Sequence, residues 1–175
     1  MNDFSTRIII IGLGNPILGD DGIGWRVVDQ LPTPLLTHGY VKVDIEHFAE
    51  GGLRLMELMI GYDYAIIIDA ITTYQHPLGW VICVPIENLP DLSAEHITSP
   101  HNTSLQASLH LGREVGLHLP HQVFIIGIET QRTYEFSEEL TKPIQDSIPI
   151  AAQSVHQVLQ DILKNQETKE QISLS

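Results

Sequence analysis

The stretch Arg7-Ile8-Ile9-Ile10-Ile11-Gly12-Leu13-Gly14-Asn15-Pro16-Ile17-Leu18-Gly19-Asp20-Asp21-Gly22-Ile23-Gly24 decides how the rest of the chain folds. A continuous β-branched run predicts a strand buried on both faces, as in a parallel sheet covered by helices. It breaks into a glycine-rich turn with two adjacent carboxylates. Ile23, Val27, Val28 and Leu31 then recur at helical spacing, with Asp20 or Asp21 placed to cap the helix and Pro32 and Pro34 to end it. The turn resembles a dinucleotide fingerprint and fails it. The pattern asks for glycine or alanine at position 17, where Ile17 stands, and paired aspartates would repel a pyrophosphate. A loop that presents carboxylates at the edge of a parallel sheet is suited to a cation.

Outward from this stretch, strands and helices alternate. Val41 to Ile45 alternates apolar and polar, as expected nearer a sheet edge, and Gly51-Gly52 opens a helix carrying Leu53, Met56 and Leu58. Tyr64 to Ala70 is a second buried strand that contains Asp69. Only about ten residues, with Pro77 and Gly79 among them, separate it from the strand Trp80 to Pro85. That is too short for a parallel crossover, so this strand is expected to run antiparallel to its predecessor. Ser99-Pro100 predicts a helix start, with Leu105, Leu109 and the Val115 region as its apolar stripe. Val123 to Ile128 is the last buried strand. A closing helix carries Ile144, Ile148, Ala152, Val155, Leu159 and Ile162, with a bend expected at Pro149. The fold class read from this order is α/β, a three-layer αβα sandwich on a mostly parallel five-stranded sheet with one antiparallel strand. Residues 1–163 form a single domain in this reading, and residues 164–175 a polar, frayed tail.

Composition narrows the function. The chain has 175 residues, a formal net charge of -13 and one cysteine, Cys83. Nucleic-acid binding needs clustered Lys and Arg, so this charge argues against it. A single cysteine rules out an internal disulfide and suits a reducing cytoplasm. No apolar run approaches the roughly 18 residues of a membrane span, and no signal peptide is read. A soluble, cytoplasmic protein is the expectation.

Three side chains converge on the expected ligand-binding edge of the sheet: Asp21 after the first strand, Asp69 at the end of the third, and His101. His101 stands four residues before Leu105, on the helix face that would turn toward the sheet. A helix amino end disfavours imidazolium and leaves a ring nitrogen for a metal. Two carboxylates and an imidazole suit nickel, zinc, manganese or iron and leave positions open for water or substrate. Each residue also has a plainer role available. Asp20 is better read as a cap, a buried Asp69 could accept backbone N–H bonds, and His101 is one of nine histidines. Covalent catalysis has little support: there is no GxSxG elbow, HExxH, CxxC or P-loop lysine, and mid-strand Cys83 reads as a buried structural thiol.

At these residues the chain resembles the hydrogenase maturation endopeptidases, which process nickel–iron hydrogenase large subunits. The matching segments are Gly12 to Asn15 with Asp20 to Gly24, Ile66 to Ala70, Ser99-Pro100-His101 and, more weakly, Gly127-Ile128-Glu129. The resemblance covers about residues 7–163 and implies the same three-layer fold. It implies removal of a short C-terminal peptide from the precursor after nickel insertion. Asp21, Asp69 and His101 are implied as catalytic and metal-contacting residues. The nickel would be supplied by the substrate precursor, with no permanent cofactor. The implied partner is the hydrogenase large-subunit precursor, with no nucleic acid and no membrane. The family often has proline after the acidic residue of the fourth segment, where Thr130 stands here, so a substrate-contact role for Glu129 does not carry over. Two other readings remain at this point. One is a non-enzymatic nickel-binding accessory protein of hydrogenase assembly. The other, a peptidyl-tRNA hydrolase-like esterase, shares Gly12 to Pro16 but lacks that family's histidine stretch.

Overall fold

The structure is a computed structural model and describes residues 6–32, 35, 41–89, 104–131 and 136–173, with side chains described to residue 166. Strand β1 spans Thr6–Leu13, and its isoleucines are wholly buried on both faces. Strand β2 is Val41–Phe48, β3 is Tyr64–Ile71, β4 is Val81–Pro85 and β5 is Gln122–Glu129. They form one sheet in the order β2-β1-β3-β5-β4. All neighbours pair parallel except β4, which is antiparallel to β5. The expected direction of β4 holds. Its neighbour is not β3, however, because β5 inserts between them.

The helices are α1, Ile23–Val28; α2, Gly52–Leu58; α3, Leu105–Glu114; and α4, Lys142–Ser173. Even-numbered residues of the central strands, such as Ile8, Ile10, Ile66 and Ile68, pack with Ile23, Val27 and Val28 of α1. Ile144, Ala151, Val155 and Leu159 of α4 join the same cluster. Odd-numbered residues, such as Ile9, Ile11, Ala65 and Ile67, pack with Leu55 and Met56 of α2 and Leu105 and Leu109 of α3. The period of two along each strand therefore feeds two separate apolar layers, which is why the isoleucine runs are continuous.

Several boundaries differ from the pattern. Helix α1 ends at Val28, because Gln30 and Leu31 donate to Val27 and Val28 in tightened turns, yet Leu31 still reaches the core. In α2 the inward residues are Leu55 and Met56, while Leu53 is exposed. Helix α4 continues through Pro149 and across the polar stretch from Lys164 to Ser173. Helix α3 begins at Leu105, where the Ser104 hydroxyl accepts the Ala107 N–H at 3.2 Å. The expected start at Ser99-Pro100 lies outside the described residues, and so does His101.

The winding of the parallel strands reverses after β2. From β1 the chain crosses over α1 to β2 on one side. It then crosses over α2, on the opposite face, to β3 on the other side of β1. Ligands of such sheets bind outside the carboxyl ends of the strands at this reversal, here between β1 and β3.

Candidate active site

The turn after β1 is built on two close backbone approaches. A Cβ on Gly24 would lie 2.3 Å from the Leu13 carbonyl oxygen and 2.4 Å from that of Ile68. Gly12 faces Gly24 across the same contact, with its virtual Cβ 2.5 Å from the Gly24 oxygen. Helix α1 thus rests directly on the ends of β1 and β3. Gly14 adopts φ 125°, and a Cβ there would sit 1.9 Å from the Asp21 carbonyl oxygen. The loop closes on Asp21: the Asn15 N–H donates to Asp21 Oδ2 at 2.7 Å, and the Asp21 N–H to the Leu18 oxygen at 3.3 Å.

The tandem aspartates have separate tasks, and neither caps α1 as expected. Gly22 occupies that cap position, and no side chain bonds to it. Asp20 is buried and turns toward α4, accepting the Thr141 N–H at 2.7 Å and the Thr141 hydroxyl at 2.8 Å. It therefore ties the β1 turn to the start of the last helix. Asp20→Ala leaves that N–H without its acceptor and is expected to destabilise the chain by about 2 kcal/mol, read by urea unfolding. Asp20→Asn retains one acceptor oxygen and is expected to cost less than half as much.

Asp69 is wholly buried in β3, paired with Gly127 of β5. Its place in the alternation puts it on the layer shared with Ile67 and Ile71, where α2 and α3 pack. Asp21 and Asp69 belong to the two segments that flank the reversal point. The contact of Gly24 with the Ile68 carbonyl joins those segments one residue before Asp69. Among the described residues, no three His, Cys, Asp or Glu side chains form a metal-holding group. The third residue of the expected set, His101, lies outside them.

Glu129 is a residue whose role pattern reasoning missed. It is 1% exposed at the end of β5. Its Oε1 accepts the N–H groups of Thr73 and Tyr74 at 2.8 and 2.9 Å, and its Oε2 the Thr73 hydroxyl at 2.5 Å. Its backbone holds the other end of the same loop: Gly79 donates to its carbonyl and its own N–H donates to Trp80, both at 2.8 Å. The departure from the family pattern at Thr130 also has a physical use. The Thr130 N–H donates to the Ile71 carbonyl at 2.7 Å, and its hydroxyl donates to the same oxygen at 3.2 Å. Proline has no N–H to make the first of these bonds.

Cys83 is exposed, which corrects its reading as a buried thiol. It lies on β4, the last strand of the sheet among the described residues, so the outer edge of that sheet passes beside it. Partial burial of the sulfur, followed by the nearby Asp161 carboxylate, pushes the thiol pKa up. A thiol held protonated is a poor nucleophile, so Cys83 offers no covalent route.

An α/β chain with Asp21 and Asp69 on the two segments that flank the switch point of its sheet has relatives among known proteins. It matches the HycI hydrogenase maturation protease family over residues 38–158, well over half its length. It is also 32% identical over 125 residues to the Hydrogenase 2 maturation protease of Escherichia coli K12, covering 70% of this chain and 72% of that one. The chain belongs to the hydrogenase maturation protease family.

Another member of this group of relatives is the hydrogenase expression/formation protein HupD of Rhizobium leguminosarum, 27% identical over 89% of this chain and 75% of its own. The solved structure of the hydrogenase maturating endopeptidase HybD from Escherichia coli superposes with a TM-score of 0.71 at 28% identity. That superposition covers 89% of this chain and 93% of HybD. This maturation protease is thus a peptide hydrolase with the HybD fold. Its membership sets aside the esterase and metal-carrier readings. The family match begins after Asp21 and includes Asp69 and His101. No helix among the described residues is long and apolar enough to cross a membrane.

Proposed function

We propose that this protease removes a short C-terminal peptide from the large-subunit precursor of a nickel–iron hydrogenase once nickel has been inserted. Asp21, Asp69 and His101 would contact the substrate's nickel and carry the hydrolysis. The observation that supports this most directly is that Asp21 and Asp69, identified from the sequence, fall on the two segments flanking the reversal between β1 and β3. Carboxylates and an imidazole form a donor set suited to a divalent first-row metal.

In this reading the metal belongs to the substrate. A precursor anchored through its nickel has its scissile bond held beside the carboxylates, and such positioning alone can lower a barrier by several kcal/mol. Asp21, at the rim and braced by the Asn15 N–H, is oriented before substrate arrives. Asp69, wholly buried, acts where charge interactions are weakly screened. The described residues of the site offer carboxylates and no thiolate, so water is the nucleophile and a carboxylate takes its proton.

The test is to incubate the purified chain with nickel-loaded and nickel-free precursor and follow intact mass. The loaded precursor is expected to lose its C-terminal peptide at least about a hundredfold faster than the empty one, for lack of the anchor. Equal rates on both would overturn nickel recognition. No cleavage of either would overturn the proposed substrate.

A further inference from the structure

From Ala70 to Ile86 the chain carries no Asp, Glu, Lys or Arg, in a protein whose formal charge is -13. This uncharged segment forms the last two residues of β3 after Asp69, leaves the strand at Ile71 and returns as β4. Its loop exposes large apolar groups: Tyr74 at 77%, Trp80 at 52% and Leu78 at 43%. Trp80 stacks on His76, with ring centroids 5.5 Å apart at 15°. Exposed aromatic groups gathered in one place mark interaction surfaces more often than chance.

The way this loop is held is costly for stability alone. Tyr74 is the sole non-glycine with positive φ among the described residues, at 57°, a conformation that disfavours a bulky side chain. Glu129, a buried carboxylate, sets the peptide plane that enters Tyr74 by accepting the N–H groups of Thr73 and Tyr74, which flank the Thr73 Cα, and the Thr73 hydroxyl. Burying a carboxylate is unfavourable unless bonds of this kind compensate it. What the arrangement yields is a tyrosine ring directed into solvent, which adds nothing to the core. Backbone strain held by surrounding structure is a mark of functional positions.

We infer that Tyr74 is a substrate-contact residue of this protease, and that Glu129 is the positioning residue that sets it. The inference rests on the proposed cleavage of the hydrogenase precursor. The occupant is an uncharged segment of that polypeptide next to the bond cut at Asp69. The loop is continuous with the strand that bears Asp69, so a chain entering the site from this side lies across Tyr74. A chain of net charge -13 repels acidic peptides overall, whereas the uncharged segment itself selects for neither charge. An apolar or aromatic side chain set on the Tyr74 ring, with the Trp80–His76 stack behind it, matches its chemistry.

The experiment is steady-state cleavage of the nickel-loaded precursor by wild type, Tyr74→Ala, Tyr74→Gly, Glu129→Gln and the double variant Glu129→Gln/Tyr74→Ala. Melting temperatures and sedimentation are measured alongside. Both Tyr74 variants are expected to raise KM about tenfold with kcat within about twofold, the signature of a lost ground-state contact. Tyr74→Gly, which relieves the positive φ, should melt no lower than wild type. Glu129→Gln keeps one oxygen for the two N–H groups but loses the charge that strengthens those bonds, and should raise KM in the same direction by a smaller factor. The double variant should be no worse in KM than Tyr74→Ala, because both act through one ring. If Glu129 merely supports the fold, Glu129→Gln will lower the melting temperature and the active fraction and leave KM unchanged. An unchanged KM in Tyr74→Ala with a competent wild type overturns this inference and leaves the cleavage proposal standing. So does a Tyr74 variant that alters only the oligomeric state. A wild type that does not cut the precursor overturns both.

Discussion

Asp69→Asn is expected to lower cleavage of the nickel-loaded precursor by about a thousandfold or more while the protein remains folded. The substitution keeps the shape and one acceptor oxygen, and removes the charge. In a wholly buried position a carboxylate acts with little dielectric screening, so its loss falls on whatever cation or proton it serves. The stability readout separates the two roles open to a buried aspartate. A metal-contacting or proton-accepting Asp69 predicts a melting temperature within about 3 °C of wild type, since the neutral amide is easier to bury than the carboxylate. A purely structural Asp69 predicts that activity and melting temperature fall together. Asp21→Asn is the companion test. Its side-chain oxygen can still accept the Asn15 N–H, so the turn is expected to persist and the rate to fall. Full activity in either variant would remove that residue from the catalytic set.

The second large effect concerns folding. Gly24→Ala is expected to destabilise the chain by about 3 kcal/mol or more, lowering the melting temperature by about 6–12 °C. The new methyl would meet the Leu13 and Ile68 carbonyl oxygens at 2.3 and 2.4 Å. Both are backbone atoms of central strands, so no side-chain rotation relieves the clash. Helix α1 must lift off the sheet and carry Asp21 with it, so activity should fall further than the folded fraction does. Gly116→Ala is the control. Its φ of 82° is unsuited to alanine, unlike the helical backbone at Gly24, but no heavy atom lies within 4 Å of the added carbon. Conformational strain alone, about 1–2 kcal/mol, is expected there. Equal losses in the two variants would show that the α1–sheet contact is not tight.

The comparison of Asp20, Asp21 and Glu129 shows where reading a sequence stops. Side by side, the two aspartates are indistinguishable as residues. What separates them is Thr141, which lies 121 positions away and takes Asp20 as its acceptor. Glu129 closed a recognisable Gly-Ile-Glu segment, yet its partners Thr73 and Tyr74 are 56 and 55 positions distant and carry no pattern that points to it. Cys83 misled for a related reason. A thiol between Ile82 and Val84 looks buried, and only the strand order shows that β4 lies at the edge of the sheet.

By itself, the sequence determined the α/β class, the five strands, the opposite direction of β4 and the importance of the β1 turn. Each of these follows from near neighbours: β-branched runs, helical spacing, a loop too short for a crossover, and glycines where chain segments must touch. Asp21 and Asp69 were legible because they end or follow such runs. Tertiary structure alone decided that β5 separates β3 from β4, that Asp20 anchors α4, that α3 begins at Leu105, and that Glu129 holds Tyr74 in solvent. Those features depend on bonds between residues far apart in the chain. Such bonds exist only after the two apolar layers have packed, and nothing in the neighbouring residues records them.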